Sequence, residues 1–234
     1  MTLSEVMQEL EALGSERAKK LYIGRGAKEP VFGVATGAMK PLLKKIKINQ
    51  PLAEELYETG NYDAMYFAGM IADAEKMTKE DFNRWIKAAY FPMLSDFVVA
   101  VTLAESPLAM EIADEWLVSD NEYYVGAGYA TYQWLLGYQA DSFFDKEKIS
   151  DMLDVAVKAI DNSTEHVRKG ISEFIAAVGV SYIPLHDKAV EASKALDKYQ
   201  KENSNTCSPF SAGLQIQKAV EKNRLGFKRK AVRC

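Results

Sequence analysis

Two stretches of this chain coincide when one is shifted along the other, and this internal repeat limits the possible folds more than any other feature. Tyr124 to Gly137 reads YVGAGYATYQWLLG, and His166 to Gly179 reads HVRKGISEFIAAVG. At a shift of 42 residues a valine and two glycines of each stretch coincide: Val125 with Val167, Gly128 with Gly170, and Gly137 with Gly179. The chain therefore repeats a unit that has to bury one face against its neighbours.

The second copy has the pattern of an amphipathic helix. Ser163 or Thr164 can cap its N-terminus, and apolar residues then recur with helical spacing: Val167, Ile171, Phe174, Ile175 and Val178. The polar residues lie on other faces of the same helix: Arg168, Lys169, Ser172 and Glu173. This helix is predicted to build a core and to present a charged surface.

Helical patterns with start and stop residues run through the rest of the chain. Further helices are predicted at 3–13, 15–23, 39–48, 51–59, 62–74, 78–90, 93–105, 107–118, 122–136, 149–160, 184–200 and 210–223. Alternating strand patterns are absent, so the predicted fold class is all-α, with about a dozen helices. A repeat period near 40 is typical of HEAT or armadillo helix pairs, which stack into a solenoid.

The positive charge is concentrated at the end of the chain. Seven basic residues and one acid lie between Lys218 and Cys234, although the whole chain has a net charge of −4. We expect a single domain over residues 1–234 that ends in a basic tail at about 224–234. Such a tail can contact a polyanion or can simply aid solubility.

Several classes of protein do not fit the sequence. No apolar run is long enough to span a membrane, and the N-terminus is an acidic amphipathic helix, so we expect a soluble, cytoplasmic protein. Cys207 and Cys234 have no second pair for a disulfide framework or a four-thiolate zinc site, and the two histidines are isolated, so no metal is expected. The glycine-rich stretch over 22–37 lacks the spacing of a phosphate loop, and no nucleotide cofactor is expected.

The stretch FGVATGAMKPLLKKI, Phe32 to Ile46, together with EHVRKGISEFI in a helix-pair repeat, resembles the AlkD-like DNA alkylation repair proteins. These are HEAT-like repeat DNA glycosylases and their relatives, and the resemblance covers about Ser15 to Gln200. It implies a right-handed superhelical solenoid whose concave, basic groove holds DNA by its backbone. The implied partner is duplex DNA, damaged or branched, bound by a monomer.

The resemblance does not carry the family's catalytic residues onto this chain. The Trp-Asp-x-x-Asp motif of active members falls on Ser95-Asp96-Phe97-Val98-Val99, which keeps only Asp96. The arginine helix reads Tyr124-Val125-Gly126-Ala127, and the second tryptophan position holds Glu173. Because valine cannot stabilise a glycosyl cation, catalysis would need Asp96 or Glu173 as a relocated acid. The alternatives are a helix-surface or capping carboxylate for Asp96 and a solvated or ion-paired acid for Glu173.

The basic positions match the family better than the acidic ones. Phosphate contacts are predicted for two residues of the repeat helix, three that follow the glycine-rich stretch, and four of the tail: Arg168, Lys169, Lys44, Lys45, Lys47, Lys228, Arg229, Lys230 and Arg233. Each of these can instead be an ordinary solubilising charge.

Three functions follow from these observations. The first is a DNA-binding HEAT-like repeat protein that contacts the DNA backbone without base-excision activity. The second is an active glycosylase that releases N-alkylated purines, and the third is a helical solenoid that binds another protein.

Overall fold

The computed structural model describes residues 1–203 and 211–233, so both cysteines, Cys207 and Cys234, lie outside the described residues. The described chain is helical, with one isolated β-bridge between Gly14 and Val34. The α-helices are α1 Leu3–Leu13, α2 Glu16–Ile23, α3 Lys40–Ile46, α4 Gln50–Glu58, α5 Tyr62–Ile71, α6 Lys79–Ala88, α7 Pro92–Leu94, α8 Ala100–Leu103, α9 Ala109–Leu117, α10 Glu122–Leu136, α11 Lys146–Ala159, α12 Glu165–Ser181, α13 His186–Asn203 and α14 Ala212–Glu221. The prediction of an all-α fold is confirmed.

Helix starts follow the capping residues that the sequence offers. The side chains of Thr2, Ser15 and Thr78 accept hydrogen bonds from the first turns of α1, α2 and α6. Helix α12 differs from the prediction, because it continues past Val178 to Ser181. No helix among the described residues combines the length and the apolar character needed to cross a membrane.

The predicted helix over 93–105 is interrupted. Between α7 and α8 the backbone forms a π-helical turn at Ser95–Val99, the stretch on which the catalytic motif of active relatives is expected to fall. A π-turn widens the helix by one residue per turn, so the spacing of side chains changes there. Periodicity alone could not reveal this local change.

The chain forms two compact units. Unit 1 comprises Met1–Leu108 together with Arg233, and unit 2 comprises Ala109–Val232. The single domain expected over residues 1–234 stays a prediction.

In unit 1 a buried acid organises the glycine-rich stretch. Asp63 on α5 is fully buried, and its carboxylate accepts hydrogen bonds from the backbone N–H groups of Phe32 (2.7 Å), Gly33 (3.0 Å) and Val34 (2.7 Å). Gly33 has a φ of 80°, and a Cβ there would lie 2.4 Å from the backbone nitrogen of Lys19. The FGV sequence is therefore a structural turn held by a carboxylate.

In unit 2 successive helix pairs pack side by side. Helix α10 packs on α9 and α12, and α12 also packs on α13 and α14. The matched glycines of the repeat lie at these contacts: Gly128 faces Leu117 of α9, and Gly170 faces Tyr129 and Gly126 of α10. The apolar stripe of α12, which includes Ile171 and Phe174, is fully buried. The matched glycines of the sequence repeat therefore occupy equivalent places, because each lies where its helix packs on the preceding one.

Candidate nucleic-acid interface

The basic end of unit 2 is packed against helices. Backbone N–H groups after α14 donate to carbonyl oxygens of other elements, Gly226 to Val180 (2.8 Å) and Arg229 to Gly137 (2.7 Å). Gly226 has a φ of 72°, which favours glycine and turns the chain there. We call residues 222–230 the C-terminal strap. The basic residues that the sequence places on a tail therefore belong to a segment whose backbone is bonded to other elements of unit 2.

A cavity of about 360 Å³ lies beside the strap within unit 2. Four elements line it: α10 with Gln133, α12 with Glu173, Ala176, Ala177, Val180 and Ser181, α14 with Gln215 and Ala219, and the strap with Arg224, Phe227 and Arg229; Gly137 follows α10. Its apolar wall along α12 is formed by Ala176, Ala177 and Val180, and its polar side chains are a carboxylate, a serine hydroxyl, two amides and two guanidinium groups. We call this cavity the arginine-rimmed pocket.

Glu173 is the acid of the arginine-rimmed pocket. Its side chain is half-buried, and Gln133 donates from Nε2 to Glu173 Oε2 at 3.3 Å. Burial raises the pKa of the Glu173 carboxyl above its ordinary value, while the charge of Lys169 and the nearby amide of Gln215 act in the opposite direction. Glu173 is therefore a partly desolvated carboxyl group at a cavity.

The two arginines of the pocket have aromatic neighbours. The Arg229 guanidinium lies over the ring of Trp134, 4.5 Å from its centroid, and that of Arg224 lies 5.9 Å from the Phe227 centroid. Within residues 1–203 and 211–233 neither guanidinium forms an ion pair. Their charge is available to an anionic ligand.

Two of the other three predicted DNA-binding residues at the chain's end, Lys228 and Arg233, form hydrogen bonds and ion pairs within the protein. Lys228 forms an ion pair with Asp141 at 2.9 Å and donates to the carbonyl oxygen of Leu136 at 2.8 Å. Arg233 in unit 1 donates from Nε to Glu105 Oε2 at 2.7 Å and from Nη1 to the carbonyl oxygens of Gly69 and Ala72. Lys230 is exposed. A role in DNA contact stays a prediction for all three.

The repeat helix α12 presents its two basic residues differently. Arg168 is half-buried, donates to the Ser163 carbonyl and lies 5.0 Å from the Tyr199 ring centroid. Lys169 is exposed and lies one helical turn before Glu173. The structure brings Lys169 and Glu173 onto one face of α12.

The predicted lysines of unit 1 are exposed at the end of α3. Lys45 reaches Glu9 at 3.8 Å, and Lys47 ends the helix with a φ of 60°. Lys44 precedes them on the same short helix. Unit 1 thus offers a small lysine cluster that lies apart from Glu173 and the strap in the sequence.

The acid expected on a helix surface lies in the interior of unit 1. Asp96 is 8% exposed, and it accepts a hydrogen bond from Ser95 Oγ at 2.6 Å. The interpretation of Asp96 as a helix-surface carboxylate is wrong, because Asp96 is buried within the π-turn. Val99, at the position of the catalytic acid, is fully buried. Position 96 therefore keeps its carboxylate in the interior of unit 1, and position 99 has no carboxylate.

Of the predicted site residues, the structure brings Glu173 and Arg229 together in one pocket. Sequence reasoning missed the other polar and aromatic lining residues, which are Gln133, Ser181, Gln215, Arg224 and Phe227. The turn residues Asn223 and Gly226 in NRLGFKR were the available signal, since both have positive φ and reverse the chain. Among the described residues, no group of three or more His, Cys, Asp or Glu could hold a metal ion.

Comparison with known proteins agrees with this fold. A solved structure presented as a new family of proteins related to the HEAT-like repeat DNA glycosylases with affinity for branched DNA structures matches 100% of both chains, with a TM-score of 0.92 and 54% identity. The uncharacterised protein Lmo0209 of Listeria monocytogenes is 24% identical over 96% of this chain and 100% of its own length. Lin0241 of Listeria innocua, also uncharacterised, is 24% identical over 94% of this chain and 97% of its own.

The family described as DNA alkylation repair enzyme matches residues 6–211, which include every helix from α2 to α13. The resemblance seen in FGVATGAMKPLLKKI and in the repeat helix is thereby confirmed. The chain belongs to the DNA alkylation repair enzyme family, within the HEAT-like repeat fold.

Proposed function

We propose that this protein binds branched DNA through the phosphate backbone and does not excise alkylated bases. The observation that carries the proposal is the full-length match, at 54% identity, to a structure whose protein is described as having affinity for branched DNA. At this identity over 100% of both chains, a shared ligand class is a direct expectation.

The C-terminal strap supplies the electrostatic basis for this proposal. Arg224, Arg229 and Lys230 are exposed, the backbone of Arg224 and Arg229 is held by hydrogen bonds, and the Arg229 guanidinium is held over the Trp134 ring. Arginine side chains that are already oriented lose less conformational entropy when they bind phosphate. Phosphate contacts of this kind are independent of base sequence, which suits a ligand recognised by its shape.

The proposed absence of base excision is supported by the two motif positions that hold acids in active members of the family. Departure of a purine leaves a cationic sugar that has to be stabilised by a nearby carboxylate. Val99 carries no charge and is buried, and Asp96 is buried with Ser95 as its hydrogen-bond partner. Neither residue can approach a sugar without a rearrangement of the π-turn.

The proposal is tested by gel-shift titration of a four-way junction and a linear duplex of equal length at several salt concentrations. We expect the junction to be retained more tightly than the duplex. Replacing Arg224, Arg229 and Lys230 by Gln should weaken binding and lower the slope of log K against log salt by about 3, one per lost phosphate contact.

The matched control is Lys146→Gln, which removes an exposed charge of unit 2 on the first residue of α11. Binding by this control should equal that of the wild type. Lack of retention of either DNA at low salt would contradict the proposal and favour the protein-binding solenoid instead.

One observation favours the glycosylase as a second candidate. Glu173 is a half-buried carboxyl in a pocket with two arginines. The pocket therefore holds an acid, although Val99 stands at the position of the family's catalytic acid. Incubation with methylated DNA, followed by measurement of released bases, distinguishes the two functions. Release that Glu173→Gln abolishes would establish excision, and no release would agree with the first proposal.

We also propose that the protein acts as a monomer in the cytoplasm. The support for the location is that two cysteines are too few for the disulfide framework of a small secreted domain. Sedimentation of the purified protein with and without the junction measures the number of chains in each species.

A further inference from the structure

We propose that the arginine-rimmed pocket binds the guanine base of an unpaired nucleotide, with the Glu173 carboxylate accepting hydrogen bonds from guanine N1–H and N2–H. The inference rests on the proposed function in one respect, because branched DNA would supply the unpaired nucleotide. The pocket itself is a property of unit 2 and can be tested without DNA.

The chemistry of the carboxylate selects guanine. An ionised carboxylate only accepts hydrogen bonds, and its two oxygens are spaced to accept two parallel N–H bonds. Guanine presents two adjacent N–H donors on its Watson–Crick edge, whereas the other three bases of DNA alternate donors and acceptors or present one donor group there. Glu173 can therefore satisfy both donors of guanine and only one donor of each competitor.

The groups around Glu173 suit the rest of a nucleotide. Gln133 and Gln215 are amides, whose N–H groups can donate to guanine O6. The Phe227 ring is 58% exposed at the cavity, so a base can stack on it. Arg224 and Arg229 lie at the same cavity and can bind the phosphate.

The size of the cavity fits a single nucleotide. About 360 Å³ is at the lower end of the range of roughly 300–1,000 Å³ found for small-molecule pockets. The side chains of Ala176, Ala177 and Ala219 are small, so they leave this space beside α12 and α14 unfilled. A base that leaves a duplex to enter such a pocket loses stacking, and the loss is smallest where the base is already unpaired.

The ionisation of Glu173 supports the assignment. Burial raises the pKa of this carboxyl, so its ionised form lacks part of the solvation that water would give. Two N–H donors from a ligand would restore that stabilisation. The charged groups near it are Lys169 on α12 and the two strap arginines, while α10 and α14 contribute the neutral amides of Gln133 and Gln215. Affinity for guanine should therefore fall as the pH decreases through the pKa of Glu173.

The experiment is a calorimetric titration of the full chain with dGMP, dAMP, dCMP and dTMP at pH 7.5. We expect dGMP to bind at least about tenfold more tightly than the other three, as is usual for one good bidentate contact to a base. Glu173→Gln should remove this preference, because an amide replaces one acceptor oxygen by a donor. Arg229→Gln should weaken the binding of all four nucleotides by a similar factor.

Three results would overturn the inference. These are the absence of dGMP binding at millimolar concentration, equal binding of the four nucleotides by the wild type, and a guanine preference that survives in Glu173→Gln. Lys146→Gln serves as the control for loss of a positive charge and should bind dGMP like the wild type.

Failure of this inference can be distinguished from failure of the proposed function. If the junction is retained at low salt and dGMP is not bound, the pocket assignment is wrong and DNA binding stands. If dGMP is bound with the expected preference and no junction is retained, the pocket stands and the proposed function is wrong. If both bind, a junction with unpaired guanine at the branch should be retained more tightly than one with unpaired thymine.

Discussion

Glu173 makes folding stability depend on pH in a direction opposite to that of most acids. Its pKa in the folded protein is raised by burial, whereas in the unfolded chain it should be near the ordinary value of about 4.3. Between these two pKa values the folded state holds a proton that the unfolded state has released. Stability from this residue is therefore lost as pH rises through the window.

We predict that Glu173→Gln raises the melting temperature at pH 7 and that the gain shrinks as the pH falls towards 4, where the unfolded chain also begins to take up the proton. Thermal unfolding of the wild type and the variant from pH 4 to pH 8 measures this difference. Glu55→Gln, which changes an exposed acid, is the control and should show no such trend. A constant difference at every pH would contradict the explanation.

The sequence could identify Glu173 as an unusual residue but not its surroundings. Its position on the polar face of α12 follows from periodicity, whereas its neighbours Arg224 and Phe227 come from a segment about 50 residues later in the chain. Such contacts depend on tertiary packing, which a helical pattern does not encode. Asp63 is a similar case, because an acid in a helix start is expected to be exposed, yet here it holds three backbone N–H groups.

At the scale of helices, the two matched glycines of the repeat provide a direct comparison. A Cβ added to Gly128 would lie 2.9 Å from Leu117 Cγ and 3.1 Å from the Ala113 carbonyl oxygen. A Cβ added to Gly170 would lie 3.5 Å from the nearest atom, which is an ordinary contact with Tyr129. Replacing glycine by alanine inside a helix otherwise gains up to about 1 kcal/mol.

We predict that Gly170→Ala stabilises unit 2, whereas Gly128→Ala is less stable than Gly170→Ala by about 1–3 kcal/mol because its methyl group is overpacked. Urea denaturation of the two variants measures the difference. Equal stabilities would mean that α9 moves away from α10 without cost. Retention of the junction should be unchanged in both variants, since neither glycine lines the arginine-rimmed pocket.

Helix positions were the most predictable property of this chain. The bounds of α1 and α10 agree with the prediction, because capping residues and a long apolar pattern define both ends. The π-turn at Ser95–Val99 was not predictable, since the helical pattern runs through this stretch without a proline or glycine to mark a break. Local sequence signals therefore predict the helices. They do not predict the π-turn in the stretch on which the family's catalytic motif falls.

At the scale of the whole molecule, the basic end of the chain is part of the folded structure. Lys228 bonds to a carbonyl oxygen 92 residues earlier, and Arg233 bonds to Glu105, 128 residues earlier. Charge counting predicted a basic tail, but it could not show that two of these charges have buried acceptors far away in the sequence. The family match was predictable, because motif and repeat are both local patterns.

We predict that Arg233→Ala destabilises unit 1 by about 1–3 kcal/mol, since the Glu105 carboxylate and two carbonyl oxygens lose a charged donor. The side chains of Arg233 and Glu105 are only 19% and 26% exposed, so water replaces the lost contacts poorly. Denaturant unfolding measures the loss, and Lys230→Ala, at an exposed site, should change stability by less than about 0.5 kcal/mol. If Arg233→Ala matches that control, the contact contributes nothing to stability.

The clamp formed by Glu105 and Arg233 also orders events during protein synthesis. A ribosome releases Glu105 long before Arg233, because 128 residues separate the two. Unit 1 can therefore assemble its helices on the nascent chain before Arg233, the partner of Glu105, has been translated. The hydrogen bonds of Arg233 to Glu105 form only after residue 233 has left the exit tunnel, so unit 1 is completed by a residue that is translated after residues 109–232 of unit 2.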